Sequence, residues 1–270
     1  MREEFLNISI HDDKQLEEIL NGKILSREKL HQWPLSYVEK VTLRDNSRFI
    51  YKSQNSSSSV EKDFYSAIKS PFLTSPIHAK TYANCDIMIL PYLNYPTLAV
   101  ESKTELEQMV IKISHIIQNF SEMPVFFDIS SVEKLAQIID SVSVVFEEKG
   151  ENQDIAILKN WIAKKAHVCY DNQQIGNVHG DLSFSNILTE NGELRYILDW
   201  QRPLKAPLTL EIALAFQLAG FDAKKKYGEF RILAVICFFI WYSYACHKLM
   251  PFVYSQAYKF LQEFISLAKS

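Results

Sequence analysis

One segment constrains the fold of this chain more than any other: residues 178–188 read VHGDLSFSNIL, and residues 194–200 read LRYILDW. Asn191 and Gly192 lie between the two stretches, and both residue types favour tight turns. The stretches therefore pair as a short hairpin, with polar residues before its first strand and at the end of its second. A fold for this chain must place a polar loop beside the end of an apolar strand.

Two carboxylates and one amide in this segment have the spacing that phosphoryl transfer requires. His179, Asp181 and Asn186 match the HxDxxxxN pattern of a kinase catalytic loop, and Asp199 closes the apolar strand where kinases carry a metal-binding Asp. Asp181 would take the proton of an attacking hydroxyl. Asn186 and Asp199 would offer Mg²⁺ the hard oxygen ligands that it prefers. We interpret His179 as a structural residue of this loop.

The string HGDLSFSNIL followed by ILDW resembles the aminoglycoside phosphotransferase and choline kinase-like family of small-molecule kinases. Gly180 stands where protein kinases usually have Arg, and Ser183 replaces the Lys that they carry two residues after the base. We count Ser183 and His179 as supporting residues of the site. The resemblance implies that the phosphate acceptor is a small molecule and not a protein.

The resemblance also implies a fold and an activity. The expected fold is α+β, protein kinase-like and bilobal, with a small β-rich N-lobe and a larger, mainly helical C-lobe. The expected enzyme moves the γ-phosphate of ATP or GTP, with Mg²⁺, to a hydroxyl of an aminoglycoside, an amino alcohol or a sugar-like metabolite. A kinase-like protein that binds nucleotide without transferring phosphate, in a scaffold or regulatory role, is the alternative.

A second hairpin is expected near the N-terminus. Residues 37–43 and 48–53 read as strands, and the turn formers at 45–47 separate them. Alternation along the second strand puts Ile50 and Lys52 on one face. A short amphipathic helix follows the hairpin.

The resemblance assigns nucleotide contacts to this N-terminal region. It implies that Lys52 contacts the α- and β-phosphates and that Glu61, on the next helix, holds Lys52 in place. A surface lysine remains the alternative for Lys52, and a helix capping box with Ser58 remains the alternative for Glu61. The backbone at Leu90 and Tyr92 would hydrogen-bond the purine edge.

Three positions depart from the family pattern. The Gly-containing phosphate loop is absent, with residues 34–36 (PLS) in its place, so the preference between ATP and GTP stays open. Glu211 stands where the family usually has Asp. Arg202, close after the metal-binding Asp, would reach a phosphate or pair with an acidic surface residue.

The sequence also indicates where the chain divides into two lobes. An apolar strand at 86–93 precedes about eighty residues without a convincing strand, and helical stripes begin near residue 106. We therefore predict an N-lobe over residues 1–93, which binds nucleotide, and a helical C-lobe over residues 94–270, with the catalytic loop, the metal site and the acceptor pocket.

Composition narrows the partners and the compartment. The net charge of −3 and the lack of a long basic block argue against nucleic acid. Four scattered cysteines and no leader sequence favour the cytoplasm. The apolar stretch 232–245 is shorter than the ~18 residues of a membrane span, so we predict a buried helix and no membrane association. The sequence does not indicate the oligomeric state.

Two clusters are candidates for the acceptor pocket, and sequence leaves both open. Aromatic residues between 238 and 244 would suit a choline-like cation through cation–π contacts, although a core role explains them equally. The acidic residues between 147 and 154 would suit a polycationic aminoglycoside, although a solvated helix end is the simpler reading.

Overall fold

The computed structural model describes residues 2–5, 8–100, 102–222, 224–248 and 253–269. The chain forms two compact units. The first contains Met1–Leu98, Glu122–Pro124 and Ser185–Arg202, and the second contains Ala99–Ser121, Val125–Phe184 and Pro203–Ser270. Because the chain crosses between the units several times, a single boundary at residue 93 stays a prediction.

The described part of the first unit begins with a small hairpin and a helix, followed by the main sheet. The hairpin is β1 (Arg2–Phe5) and β2 (Ile8–Ile10), and the helix is α1 (Asp13–Leu20). The sheet is antiparallel, in the spatial order β3-β4-β5-β7-β6, and helix α2 follows its third strand. These elements are β3 (Ile24–Trp33), β4 (Ser36–Leu43), β5 (Arg48–Asn55), α2 (Glu61–Ala67), β6 (His78–Tyr82) and β7 (Cys85–Pro91).

The predicted N-terminal hairpin corresponds to β4 and β5, which pair in regular register from Ser36↔Gln54 to Thr42↔Arg48. Asn46, in the turn between them, has φ 69°, a left-handed conformation that Asn tolerates better than most residues. One face of this sheet is apolar and packs against β2 and α1. That cluster contains Ile8, Ile10, Leu16, Tyr37, Val41, Leu43, Tyr51, Cys85, Ile87 and Ile89.

The remaining elements belong to the second unit, apart from β10 and β11. In chain order they are α3 (Lys103–Ile117), β8 (Phe127–Asp128), α4 (Val132–Glu147), α5 (Asn152–Lys165), β9 (Ile175–Val178), β10 (Ile187–Glu190), β11 (Glu193–Ile197), β12 (Leu204–Pro207), α6 (Thr209–Leu218), α7 (Lys224–Lys248) and α8 (Tyr254–Ala268). The β10–β11 hairpin belongs to the first unit. The helices and the small β8-β12-β9 sheet belong to the second.

Helices of the second unit begin where side chains can satisfy their first amides. Ser102 caps α3 by accepting the amide of Glu105, and Ser131 caps α4 by accepting the amide of Lys134. The apolar stripes predicted in this region form the buried faces of both helices. The second unit is therefore mainly helical.

Among the described residues, one helical segment has the length and hydropathy to span a membrane, Lys226–Cys246. The protein itself buries 61% of the relevant window. The core helix of a soluble protein has the same properties, since both must be apolar on every side. The structure thus supports the interpretation of the stretch 232–245 as a buried helix.

Candidate active site

A buried lysine in the first unit contacts two carboxylates that are far away in sequence. Lys52 Nζ lies 2.5 Å from Glu61 Oε2 and 2.7 Å from Asp199 Oδ1. The side chains of Lys52 and Glu61 are 7% and 1% exposed, whereas that of Asp199 is 30% exposed. Three of the predicted site residues therefore meet in one cluster, which is anchored in the sheet and open to solvent on the Asp199 side.

The electrostatics of this cluster favour a charged lysine. Burial alone would lower the pKa of Lys52, but Asp199 and Glu61 together outweigh burial and raise that pKa above its usual value. Burial raises the pKa of Glu61, and Lys52 opposes that rise. The charged Lys52 thus lies beside the partly exposed carboxylate of Asp199. Lys52 is suited to bind a polyanion, and Asp199 is suited to bind a cation.

Glu61 is positioned by contacts on both sides of its carboxylate. Oε1 accepts the backbone amide of Trp200 at 3.2 Å, while Oε2 faces Lys52. Helix α2 has Val60 at its N-cap and no side-chain cap hydrogen bond, so the capping-box alternative for Glu61 is wrong. The carboxylate reaches the sheet and the segment after β11 instead of the start of its own helix.

Asp199 adopts an uncommon backbone conformation. Its φ is 64°, in the left-handed region that a non-glycine residue seldom occupies. Contacts of the following residues hold this segment in place: the Trp200 ring stacks on Phe64 with centroids 4.1 Å apart, and the amide of Val60 bonds to the carbonyl of Gln201 at 3.0 Å. Such conformations persist where the surrounding structure enforces them, often at functional sites.

Asn186 lies at the open end of the β10–β11 hairpin. Its carbonyl accepts the amide of Leu198, the residue before Asp199, at 2.8 Å. The turn of this hairpin contains Asn191 at φ 53° and Gly192 at φ 79°, the pattern of a tight type I′ turn. The hairpin therefore brings the chain around Asn186 beside the chain that carries Asp199, as the sequence predicts.

The catalytic-loop residues before Asn186 belong to the second unit. The amide of Asp181 donates to His179 Nδ1 at 3.2 Å, and the amide of Ser183 donates to the carbonyl of Asp181 at 2.9 Å. His179 is buried, and Gly180 has φ 83°, where a side chain would strain the backbone. These contacts hold the loop in one tight conformation.

Glu211, near the start of α6, holds the same loop through two hydrogen bonds to its backbone. Its carboxylate accepts the backbone amide of His179 and, at 3.1 Å, that of Gly180. Burial raises the pKa of Glu211 to about 7, although the two amide donors act to lower it. The sequence shows Glu211 as a departure from the family pattern, but it gives no sign of the raised pKa, which depends on burial.

The backbone of Leu90 and Tyr92 is used within the sheet. The amide of Tyr92 donates to the carbonyl of Arg48 at 3.1 Å, and Leu90 stands opposite Ile50. Since hydrogen-bonded pairs alternate along an antiparallel ladder, both backbone groups of Leu90 face Ile50. The Tyr92 amide and the backbone of Leu90 are thus used within the sheet, and a purine-binding role for Leu90 and Tyr92 stays a prediction.

The region of the missing phosphate loop is a tight turn. Pro34 and Leu35 join β3 to β4, and Leu35 is buried, with its carbonyl accepting the amide of Asn55 at 2.9 Å. Proline offers no amide donor, so this turn differs from a loop that cradles phosphate. Arg202 is partly buried in the first unit, and its contact with phosphate stays a prediction.

The two candidate acceptor clusters, the acidic residues between 147 and 154 and the aromatic residues between 238 and 244, already make contacts with other side chains. In the acidic run, Asp154 accepts from Gln262 Nε2 at 2.6 Å, and Lys159 pairs with Glu147 at 3.1 Å. The aromatic residues pack on one another, as the edge-to-face pair Phe126–Trp241 shows with its centroids 5.9 Å apart. Both clusters make contacts inside the second unit, and a role for either in binding the acceptor stays a prediction.

Comparisons with known proteins identify structural relatives. No protein-family model matches the chain, and no curated protein matches its sequence. A thermostable mutant of aminoglycoside phosphotransferase APH(4)-Ia matches with a TM-score of 0.65 and 14% identity, over 96% of this chain and 98% of that one. Choline kinase LicA from Streptococcus pneumoniae matches with a TM-score of 0.62 and 16% identity, over 93% and 97%. The streptomycin–ATP–APH(2")-IIa ternary complex matches with a TM-score of 0.59 and 13% identity, over 96% and 97%.

These likenesses extend over nearly the whole chain at low identity, so they show the fold. They support the resemblance that the catalytic-loop sequence indicates. The predicted α+β, protein kinase-like fold is confirmed.

Proposed function

We propose that this chain, whose fold is that of the kinase-like small-molecule phosphotransferases, transfers the γ-phosphate of ATP or GTP to a hydroxyl of a small molecule in a Mg²⁺-dependent reaction. The structural relatives are small-molecule kinases and phosphotransferases, which supports the general class of activity. One observation carries the proposal: the buried Lys52 contacts both Glu61 and Asp199. A scaffold that binds nucleotide without transferring phosphate could use this cluster too, but it has no need of Asp181 as a general base.

In this proposal Lys52 binds the α- and β-phosphates of the nucleotide. Its ammonium is held by two carboxylates, and its charge is retained despite burial because they raise its pKa. Arrival of a triphosphate would replace one carboxylate contact with phosphate oxygens, while Glu61 keeps the ammonium in place. Structural relatives in complex with ATP or AMP-PNP support a nucleotide donor.

Asn186 and Asp199 fit a Mg²⁺ site by their chemistry. An amide oxygen and a partly exposed carboxylate are hard ligands, and the hairpin holds their segments side by side. When bound, Mg²⁺ would neutralise charge on the transferring phosphate oxygens. No group of three or more His, Cys, Asp and Glu forms a separate metal site among the described residues.

Asp181 is the proposed general base. It would accept a hydrogen bond from the acceptor hydroxyl and take its proton as the oxygen attacks phosphorus. The loop that carries Asp181 is held by His179 and by the Glu211 carboxylate, which bonds the amides on the N-terminal side of Asp181. This loop needs no rearrangement to present a carboxylate in a fixed direction.

The register of β7 supports a purine contact through different backbone atoms from those that the sequence suggests. Residues 90 and 92 direct their sheet-bonding groups toward β5, so the carbonyl of Pro91 points to the opposite side of β7. We expect that carbonyl and the amide of Leu93 to meet a purine edge. A partly buried Arg202 remains a proposed phosphate contact.

A screen of acceptors tests the activity, with base removal as its control. Wild-type protein is incubated with Mg²⁺, ATP or GTP, and panels of aminoglycosides, amino alcohols and sugars, and acceptor-dependent release of the nucleoside diphosphate is measured. The Asp181→Asn variant should lower turnover on any hit by about 10² to 10⁴, because a positioned base contributes that much, and should leave nucleotide affinity nearly unchanged. Near-normal turnover of the variant would remove Asp181 from the base role, and nucleotide binding without transfer to any acceptor would favour the scaffold alternative.

A further inference from the structure

A second polar cluster on the α2-facing side of the main sheet lies outside the proposed nucleotide contacts. Asp86 on β7 is 4% exposed. Its Oδ1 accepts Thr81 Oγ1 at 2.6 Å and Lys62 Nζ at 3.1 Å, and Lys62 Nζ also lies 2.5 Å from Thr81 Oγ1. A buried carboxylate is costly unless it is paired and hydrogen-bonded, so its partners matter to the local structure.

The register of the sheet places this cluster beside the Lys52 site. Gln54 stands opposite Asp86, and Asp86 stands opposite Thr81, so these residues form a row across three strands. Lys52 and Gln54 are two residues apart and share a face of β5. Gln54 is 1% exposed and acts to lower the pKa of the Glu61 carboxyl.

Helix α2 needs tertiary contacts to hold its orientation. It has seven residues and no side-chain N-cap, and isolated helices of that length do not form in water. Glu61 and Lys62 are adjacent, so their side chains leave the helix about 100° apart. Glu61 reaches Lys52 on β5, while Lys62 reaches Asp86 on β7. Helix α2 is also held by the stacking of Phe64 on Trp200, and the Lys62 attachment adds resistance to rotation about the helix axis in a different direction.

We propose that the Lys62–Asp86–Thr81 cluster is a positioning device that fixes the rotation of α2 and so directs Glu61 at Lys52. The inference rests on the proposed function in its catalytic consequence, since Lys52 is the proposed phosphate-binding group. Lys62, Asp86 and Thr81 are positioning residues, because they act through Glu61 and contact no reacting atom. Without the cluster, Lys52 keeps Asp199 as a partner, and Glu61 keeps its contacts with Lys52 and Trp200 on a helix whose rotation is less restricted.

The test uses Asp86→Asn and Lys62→Met in the full chain, with Lys80→Met as the matched control. Lys80 is an exposed lysine on β6, and its side chain leaves the strand on the face opposite to that of its neighbour Thr81. Amide hydrogen exchange of α2 in the nucleotide-free protein should accelerate in both test variants and stay unchanged in the control. Nucleotide affinity, measured by calorimetry with ATP and Mg²⁺, should fall about 10-fold in the test variants only.

A Glu61→Gln background separates positioning from general destabilisation. If Asp86 acts through Glu61, adding Asp86→Asn to Glu61→Gln should change ATP affinity by less than about 2-fold. Unchanged exchange in Asp86→Asn, or a full additional loss of affinity in the Glu61→Gln background, would overturn the proposal. A wild-type protein that binds no nucleotide contradicts the proposed function, and the exchange experiment then still decides whether the cluster fixes α2.

Discussion

At the scale of single residues, the site depends on contacts between side chains that are far apart in the sequence. Lys52, Glu61 and Asp199 are separated by up to 147 positions, and the resemblance alone suggests that they meet. Their contact is what gives a commonplace strand lysine a specific chemistry. The Lys62–Asp86–Thr81 cluster has no motif at all, so no local pattern could indicate it. Residue identity predicts the chemistry of each group, while register and burial decide which groups meet.

Glu211 leads to a prediction about pH. Its pKa is raised from 4.5 to about 7 by burial, so between these values the folded state holds a proton that the unfolded state has released. The contribution of Glu211 to the free energy of unfolding is therefore fully present below 4.5 and is lost as the pH rises through about 7, by at most about 3 kcal/mol. Replacing Glu211 with Gln should remove this part of the pH dependence.

Urea denaturation of wild type and Glu211→Gln at about pH 5 and about pH 8 measures the difference. Wild type should lose more stability than the variant between the two conditions. Parallel pH profiles would show that the Glu211 carboxyl titrates at its ordinary pKa. Because each protein is compared with itself at the two pH values, any effect of the substitution on stability that does not depend on pH cancels.

At the scale of elements, prediction from sequence succeeds where one face is apolar and fails at exposed edges. Strand β4 alternates in burial, β5 is buried over its second half, and the sequence predicts both almost to their ends. The sequence does not predict strand β3, because it is an edge strand with mostly exposed residues and no continuous apolar face. Its partner strand, and not its own sequence pattern, makes it extended. Edge strands with charged residues also resist unwanted pairing.

The packing of α2 on the segment after β11 gives a prediction at this scale. Trp200 is fully buried, stacks on Phe64 and donates its indole N–H to the carbonyl of Ile197 at 3.1 Å. Trp200→Ala should lower the free energy of unfolding by about 3 to 5 kcal/mol, since it leaves a large cavity. Trp200→Phe keeps a stacking ring and should lose only about 1 to 2 kcal/mol. Equal losses in the two variants, measured by urea denaturation, would contradict a stabilising role for the stacked ring pair.

At the scale of the whole molecule, chain order does not reveal which segments pack together. Segment Ser185–Arg202 contains Asn186, the last residue of the catalytic loop, yet it packs in the first unit with the strand that carries Lys52. The reason is the set of contacts that Glu61 and Lys52 make with residues 199 and 200. Such contacts join distant parts of the chain, so neither composition nor periodicity could assign this segment. Sequence could indicate two lobes without locating every crossing between them.

The site proposed in the first unit should link nucleotide binding to the stability of the folded chain. A ligand that binds only the folded state stabilises it by about 2.7 kcal/mol when its concentration is 100 times its Kd. We therefore expect ATP with Mg²⁺ to raise the melting temperature, and expect a metal chelator to abolish most of that rise, because the nucleotide then meets Asp199 without a cation between them. Asp199→Ala should lose the Mg²⁺-dependent part of the rise, whereas Glu190→Gln, an exposed change in the same hairpin region, should keep it. A rise that is equally large with the chelator would show that the carboxylate of Asp199 holds no metal, and would leave Lys52 as the group that binds the phosphates.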